Sequence, residues 1–105
     1  MKLIKLLATA LILLPGAALA QEQGEAGPGL TYAKQQCAEC HWVGKQKGSS
    51  PNLFAKSFRE LANRRDTTVI SLAAWMQSEH VDMPHIMPKP EDLNDVIAYI
   101  ISLKE

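Results

Sequence analysis

The reading of this chain turns on "CAECH", Cys37 to His41. These five residues hold the only two cysteines in 105, with a histidine directly behind the second. On a helical turn, residues i and i+3 share a face and i+4 lies close by. Cys37 and Cys40 therefore point the same way, and His41 sets its ring beside them. Leu30 to Gln36, just upstream, are good helix formers, so the motif sits at the end of a helix.

Outward from the motif, the chain alternates loops and helical stretches. "WVGKQKGSSPN" (42–52) carries two glycines, two serines and a proline and reads as a loop. Residues 53–65 read as short helical turns, with Leu53, Phe54, Phe58 and Leu61 as scattered apolar contacts. Asp66 or Thr67 is the expected cap of a helix starting near Thr68. Val69, Leu72, Ala73 and Met76 repeat at i, i+3, i+4, i+7 and form its buried stripe. "HVDMPHIMPKP" (80–90) has three prolines, which remove donors and favour extended backbone. From Glu91 a last helix carries acidic residues in its first turn and a stripe of Leu93, Val96, Ile97 and Ile100. No alternating strand pattern or repeat occurs, so the expected fold class is all-α.

The amino terminus reads as an export signal. Lys2 and Lys5 precede the apolar run Leu6–Leu14, then Pro15-Gly16 and a small-residue cleavage site at Ala18-Leu19-Ala20. Nine apolar residues are too few to span a bilayer, which takes about 20. Residues 1–20 are thus a signal peptide, 21–28 a flexible polar segment, and 29–105 the folded domain. Both removed lysines are basic, so the exported chain has 9 basic and 11 acidic residues, a formal charge of −2. That balance excludes a nucleic-acid binder. A single domain this short has a marginal core and gains from a cofactor.

Cys-x-x-Cys-His suits two thioether bonds to the adjacent vinyl groups of a haem, with the imidazole on iron. A thioredoxin-like Cys-x-x-Cys wants a βαβ context, which is missing here. A structural zinc site needs four ligands, and adjacent Cys40 and His41 pair awkwardly in one. A Cys37–Cys40 disulfide closes a very small loop and stabilises little. A haem carrier commonly takes a second axial ligand, and a thioether raises its potential. Met76 falls on an apolar stripe, where packing is the simpler role. Met83 and Met87 both lie on the proline-stiffened loop, and composition does not choose between them.

Taken together, "GLTYAKQQCAECH" (29–41), "PNL" (51–53), "LAAWMQSEHVDMP" (72–84) and "EDLNDVIAYIISL" (91–103) resemble a class I cytochrome c of the small bacterial type. The resemblance implies three main helices and loops wrapped around one covalently bound haem c. It implies Cys37 and Cys40 as attachment points, His41 as proximal ligand, Pro51 as the residue whose carbonyl accepts the histidine N–H, and Leu53 as a haem contact. Gly29 and Ala33 match the positions where the first helix crosses the last, opposite Tyr99. The family's ligand methionine stands before proline about sixteen residues ahead of that tyrosine; Met83 is sixteen ahead and Met87 twelve, which favours Met83. His80 and His85 are then surface or haem-edge residues.

The aromatics Trp42, Trp75, Phe54 and Phe58 are expected to line the haem or fill the core, with Trp75 placed to bond a propionate. Lys45, Lys47, Lys56, Arg59, Arg64 and Arg65 form a basic cluster, a solvated face or a docking patch for an acidic redox partner. The expected function is that of a periplasmic carrier of one electron between redox proteins, with His41 and Met83 on iron and no catalytic residues. A small-ligand binder with an open sixth position and a subunit of a larger dehydrogenase or oxidase are the competing classes.

Overall fold

The computed structural model describes residues 24–78 and 88–105. The signal-like segment 1–20, His80, Met83, His85 and Met87 lie outside the described residues. Within them the chain forms four helices and no strand: α1 (Ala26–Gln36), α2 (Phe58–Ala62), α3 (Val69–Gln77) and α4 (Pro90–Ser102). The all-α expectation holds, with α1, α3 and α4 as the main helices and α2 only five residues long.

Helix α4 is the hub, packing against each of the other three. Pro90 opens it with a fixed φ where no intrahelical N–H is needed. Glu91 and Asp92 then face the positive end of the helix dipole. Val96, Ile97, Tyr99 and Ile100 are buried and Leu93 is half-buried, as the stripe predicts. Around them close Ala33, Cys37, Val43, Phe58, Ala62, Leu72 and Leu103.

The α1–α4 crossing is very close. A Cβ on Gly29 would lie 1.9 Å from the Asp95 carbonyl oxygen and 2.9 Å from the Tyr99 Cβ. Ala33 is fully buried on the same face. The crossing reaches further back than expected. Residues 26–28, read from sequence as part of a flexible segment, are the first turn of α1. The Glu25 N–H donates to Asp95 Oδ1 at 2.8 Å, and Gly24 lies so near α4 that a Cβ would meet Asn94 backbone at 2.1 Å. Pro28 fits because first-turn N–H groups have no helical acceptor.

Two further expectations change at α3. Its N-cap is Thr68, not Asp66 or Thr67: Thr68 Oγ1 accepts from the Ser71 N–H at 3.0 Å, and Ser71 Oγ accepts from the Thr68 N–H at 2.8 Å. Thr67 is buried instead, its hydroxyl donating to the Leu61 carbonyl at 2.6 Å. Leu72 is buried and Ala73 and Met76 pack on the core, but Val69 is half exposed. It is the first helical residue, with no preceding turn for its side chain to lie against.

The chain end ties the helices together. Asn63, which caps α2, donates to the Leu103 carbonyl at 3.2 Å and accepts from the Glu105 N–H at 2.9 Å. Lys104 Nζ donates to the Thr67 carbonyl, and Arg59 pairs with Glu105.

Candidate functional site

Cys37 is the C-cap of α1, its N–H bonded to the Ala33 carbonyl at 2.9 Å. One more turn follows: the Cys40 and His41 N–H groups both donate to the Cys37 carbonyl, at 3.2 and 2.9 Å. This is the i, i+3, i+4 grouping that the motif requires. The two cysteines form no disulfide; Cys37 is buried, Cys40 and His41 half-buried. Before haem is attached, burial pushes the Cys37 thiol up to about 11.

The segment after the loop lies alongside this turn. The Asn52 N–H donates to the Cys40 carbonyl at 3.2 Å, and the Phe58 N–H to the Trp42 carbonyl at 2.9 Å. Between those two bonds the chain brings the Lys56 carbonyl to 2.6 Å from His41 Nδ1. A carbonyl oxygen only accepts, so Nδ1 carries the proton and the lone pair sits on Nε2. This corrects the role expected of Pro51, whose carbonyl is not the acceptor. The two anchoring bonds set the path of 52–58, and along it residue 56, not 51, falls opposite the ring. Pro51 instead shares with His41 the wall of a groove of about 500 Å³. The Phe58 ring, 5.4 Å from the His41 ring and 6.4 Å from the Tyr99 ring, backs the imidazole from within the core.

The loop 42–50 closes over Trp42. Its indole N–H donates to the Gln46 carbonyl at 2.8 Å, and its backbone N–H to Ser50 Oγ at 3.0 Å. Gly48 lies so flat on the indole that a Cβ would meet it at 2.1 Å. Tyr99 Oη donates to the Val43 carbonyl, fastening the loop to α4. Trp42 thus organises its own loop, half-buried, rather than filling the core.

Other expected site residues are placed at the surface. Leu53 and Phe54 are 93% and 96% exposed, and Trp75 on α3 is 58% exposed. Of the four aromatics expected to fill the core or line the haem, only Phe58 is in the core. A short turn explains the first two: the Phe54 N–H donates to Asn52 Oδ1 at 2.9 Å and the Ala55 N–H to the Asn52 carbonyl at 3.1 Å, which swings 53 and 54 outward. The basic cluster is also thinner than its sequence count. Arg59 is paired with Glu105 and donates to the Lys45 carbonyl, and Arg64 lies 3.9 Å from Asp66. Lys45, Lys47, Lys56 and Arg65 are exposed.

Three contributors escaped the sequence reading. The Lys56 carbonyl is main chain and has no side-chain signature. Ser50 and Asn52 sit in a stretch legible only as turn-forming, although Asn before an apolar pair is a recognisable Asx-turn signal.

The donor set fits a haem. Two soft sulfurs share a face beside an imidazole with a free Nε2, and Leu53, Phe54 and Trp75 offer exposed apolar surface of the kind a porphyrin covers. Among the described residues, no three His, Cys, Asp or Glu side chains converge on one point as a bare ion would need. The Cytochrome c family model matches residues 25–104, from the residue that caps α1 to the one before the last. The chain is also 32% identical over 80 residues to cytochrome c-552 of Bradyrhizobium diazoefficiens, covering 76% of each protein. No solved structure matches it significantly. Since the match takes in all four helices and the whole Cys37–His41 turn, this chain belongs to the cytochrome c family and carries covalently bound haem c.

Proposed function

We propose that this chain is a periplasmic one-electron carrier, with haem c joined to Cys37 and Cys40 and ligated by His41 and Met83. Haem-based electron transfer between redox partners is the family's role. The observation that carries the finer reading is the bond from His41 Nδ1 to the Lys56 carbonyl. It fixes Nδ1 as the donor and holds the ring in one orientation, which leaves Nε2 as the nitrogen for iron. The export pattern of residues 1–20 supports the periplasm.

Haem c supplies a one-electron couple at iron. The chain's own residues do the rest. The Lys56 carbonyl raises the basicity of His41, and the thioether of Met83 pulls the potential upward. Phe58 keeps water from the inner side of the imidazole. Leu53 and Trp75 would cover apolar porphyrin surface, the Trp75 indole N–H would serve a propionate, and Pro51 lines the same groove as His41. Lys45, Lys47 and Lys56 make a local positive patch for an acidic partner.

Spectra of the chain made in cells able to attach haem c test this. The oxidised protein is expected to be low-spin, with the weak far-red band of thioether-bound ferric iron. Met83→Ala removes that band and lets the reduced protein take up carbon monoxide, while Met87→Ala leaves the spectrum unchanged. The reverse result moves the ligand to Met87, and a high-spin wild-type spectrum overturns the sealed-carrier reading.

A further inference from the structure

The loop after Trp42 turns three of its carbonyls towards side-chain donors. Tyr99 Oη donates to the Val43 carbonyl, an Arg59 N–H to the Lys45 carbonyl at 3.0 Å, and the Trp42 indole N–H to the Gln46 carbonyl at 2.8 Å. In a trans peptide unit the C=O and the N–H point in opposite directions. The N–H groups of Gln46 and Lys47 share peptide units with the last two of these carbonyls. They therefore point away from the guanidinium and the indole, and no described residue accepts from either. Lys45, Gln46 and Lys47 are all exposed. Gly44 and Gly48 lie against the Trp42 indole, where a Cβ would come within 2.9 and 2.1 Å of its ring, so the loop has little room to reshape. These contacts are internal to the chain and use none of the apolar surface assigned to the haem.

We infer that the N–H groups of Gln46 and Lys47 form a seat for one carboxylate of an acidic redox partner, with the ammonium groups of Lys45 and Lys47 adding attraction. This deepens, and rests on, the docking patch proposed above. Successive backbone N–H groups in a turn make an anion-binding concavity, and paired donors match the two oxygens of a carboxylate. The local charge favours it, since the chain has no acidic residue from Cys40 to Arg59. Lysines on flexible stems bring the partner near, whereas a main-chain pair fixes where its carboxylate sits. Trp42 and Arg59 already brace the loop, so little freedom is lost on binding. Both are positioning residues, and Arg59, whose charge is paired with Glu105, acts as a brace and not as a ligand.

NMR of the full, haem-loaded chain in its reduced state tests this, with a hexaglutamate peptide as the probe and inorganic phosphate as the competing anion. The amide protons of Gln46 and Lys47 should move downfield together and saturate, at a peptide concentration that rises with salt. Trp42→Phe keeps every charge and an aromatic ring but removes the donor on the Gln46 carbonyl. It should weaken binding about fivefold, the loss of one hydrogen bond, with α4 amide exchange and the midpoint potential unchanged. Lys45→Gln combined with Lys47→Gln should also weaken it. If the lysine pair matters but the two amides stay still and Trp42→Phe binds as wild type does, the docking patch stands and the seat is overturned. If wild type does not bind hexaglutamate even at low salt, the patch fails, and the seat with it. If phosphate moves the two amides as tightly as the peptide does, the loop takes free anions and the partner assignment is overturned. Should Trp42→Phe loosen the whole fold, seen as faster exchange throughout α4, the wild-type amide shifts alone decide.

Discussion

At the scale of single residues, the two cysteines are chemically unequal although the motif treats them alike. Cys37 is 8% exposed, between α1 and the core, while Cys40 is half-buried. A buried thiol resists ionisation, and here burial moves Cys37 from 9.0 to about 11. In folded chain lacking haem, iodoacetamide at pH 8 is expected to modify Cys40 well before Cys37; equal rates would show that Cys37 is not shielded. The sign of the pH effect follows by linkage. In chain lacking haem, where Cys37 keeps its thiol, the unfolded state ionises it near pH 9 and the folded state only near pH 11, so the unfolded state binds fewer protons in between. Stability therefore falls across that window, by up to about 1.4 kcal/mol per pH unit, and Cys37→Ser removes the slope. Of this site, the thiols and the imidazole were legible because a side-chain motif names them. The acceptor on Nδ1 was not, because any residue supplies a carbonyl and only the path of 52–58 decides which one arrives.

At the scale of elements, the α1–α4 crossing decides how glycines in one helix are used. Gly27 and Gly29 are both helical, yet a Cβ at 27 meets nothing within 4 Å and one at 29 meets the Asp95 carbonyl oxygen at 1.9 Å. Gly27→Ala should therefore stabilise the protein by about 0.5–1 kcal/mol, the helical preference of alanine over glycine. Gly29→Ala forces two backbones apart and should cost about 3 kcal/mol, the upper range for overpacking. In thermal melts the two variants should move in opposite directions, by about 4–8 °C for each kcal/mol in a domain of this size. If both destabilise equally, the contact at 29 is not specific. The same crossing explains a misread boundary. "GEAGPG" (24–29) has the composition of a loop, and intrinsic propensity places the helix start at Leu30. Docking of Gly24 and Glu25 on α4 overrides that propensity and adds a turn. The stripe of α4 was legible because four apolar residues at helical spacing have one simple use. The cap of α3 was misassigned because Asp66, Thr67 and Thr68 are all good caps, and burial of the Thr67 hydroxyl selects among them.

At the scale of the whole molecule, any attraction to an acidic partner has to be local. After loss of Lys2 and Lys5 the chain would carry a net charge of −2, which repels anions at long range. Two arginines of the basic stretch have local acidic neighbours: Arg59 is held by Glu105, and Arg64 has Asp66 at 3.9 Å. Lys45, Lys47 and Lys56 are exposed, and Lys56 also supplies the carbonyl on His41, which ties its position to the haem ligand. A field from three such charges reaches about 8–10 Å at ordinary salt, so it steers only reagents that approach near the site. The reduced protein oxidised by ferricyanide, an anion, should slow by about tenfold at low salt when Lys45→Glu and Lys47→Glu are combined. The loss should shrink as salt rises, and oxidation by a cationic cobalt complex should be unchanged or faster. Arg64→Glu, which alters a charge already countered by Asp66, should change the ferricyanide rate much less. Equal slowing of anionic and cationic oxidants would point to altered haem exposure and remove the patch from the path of electron transfer. A charge-specific, salt-sensitive loss would place the encounter near Lys45 and Lys47.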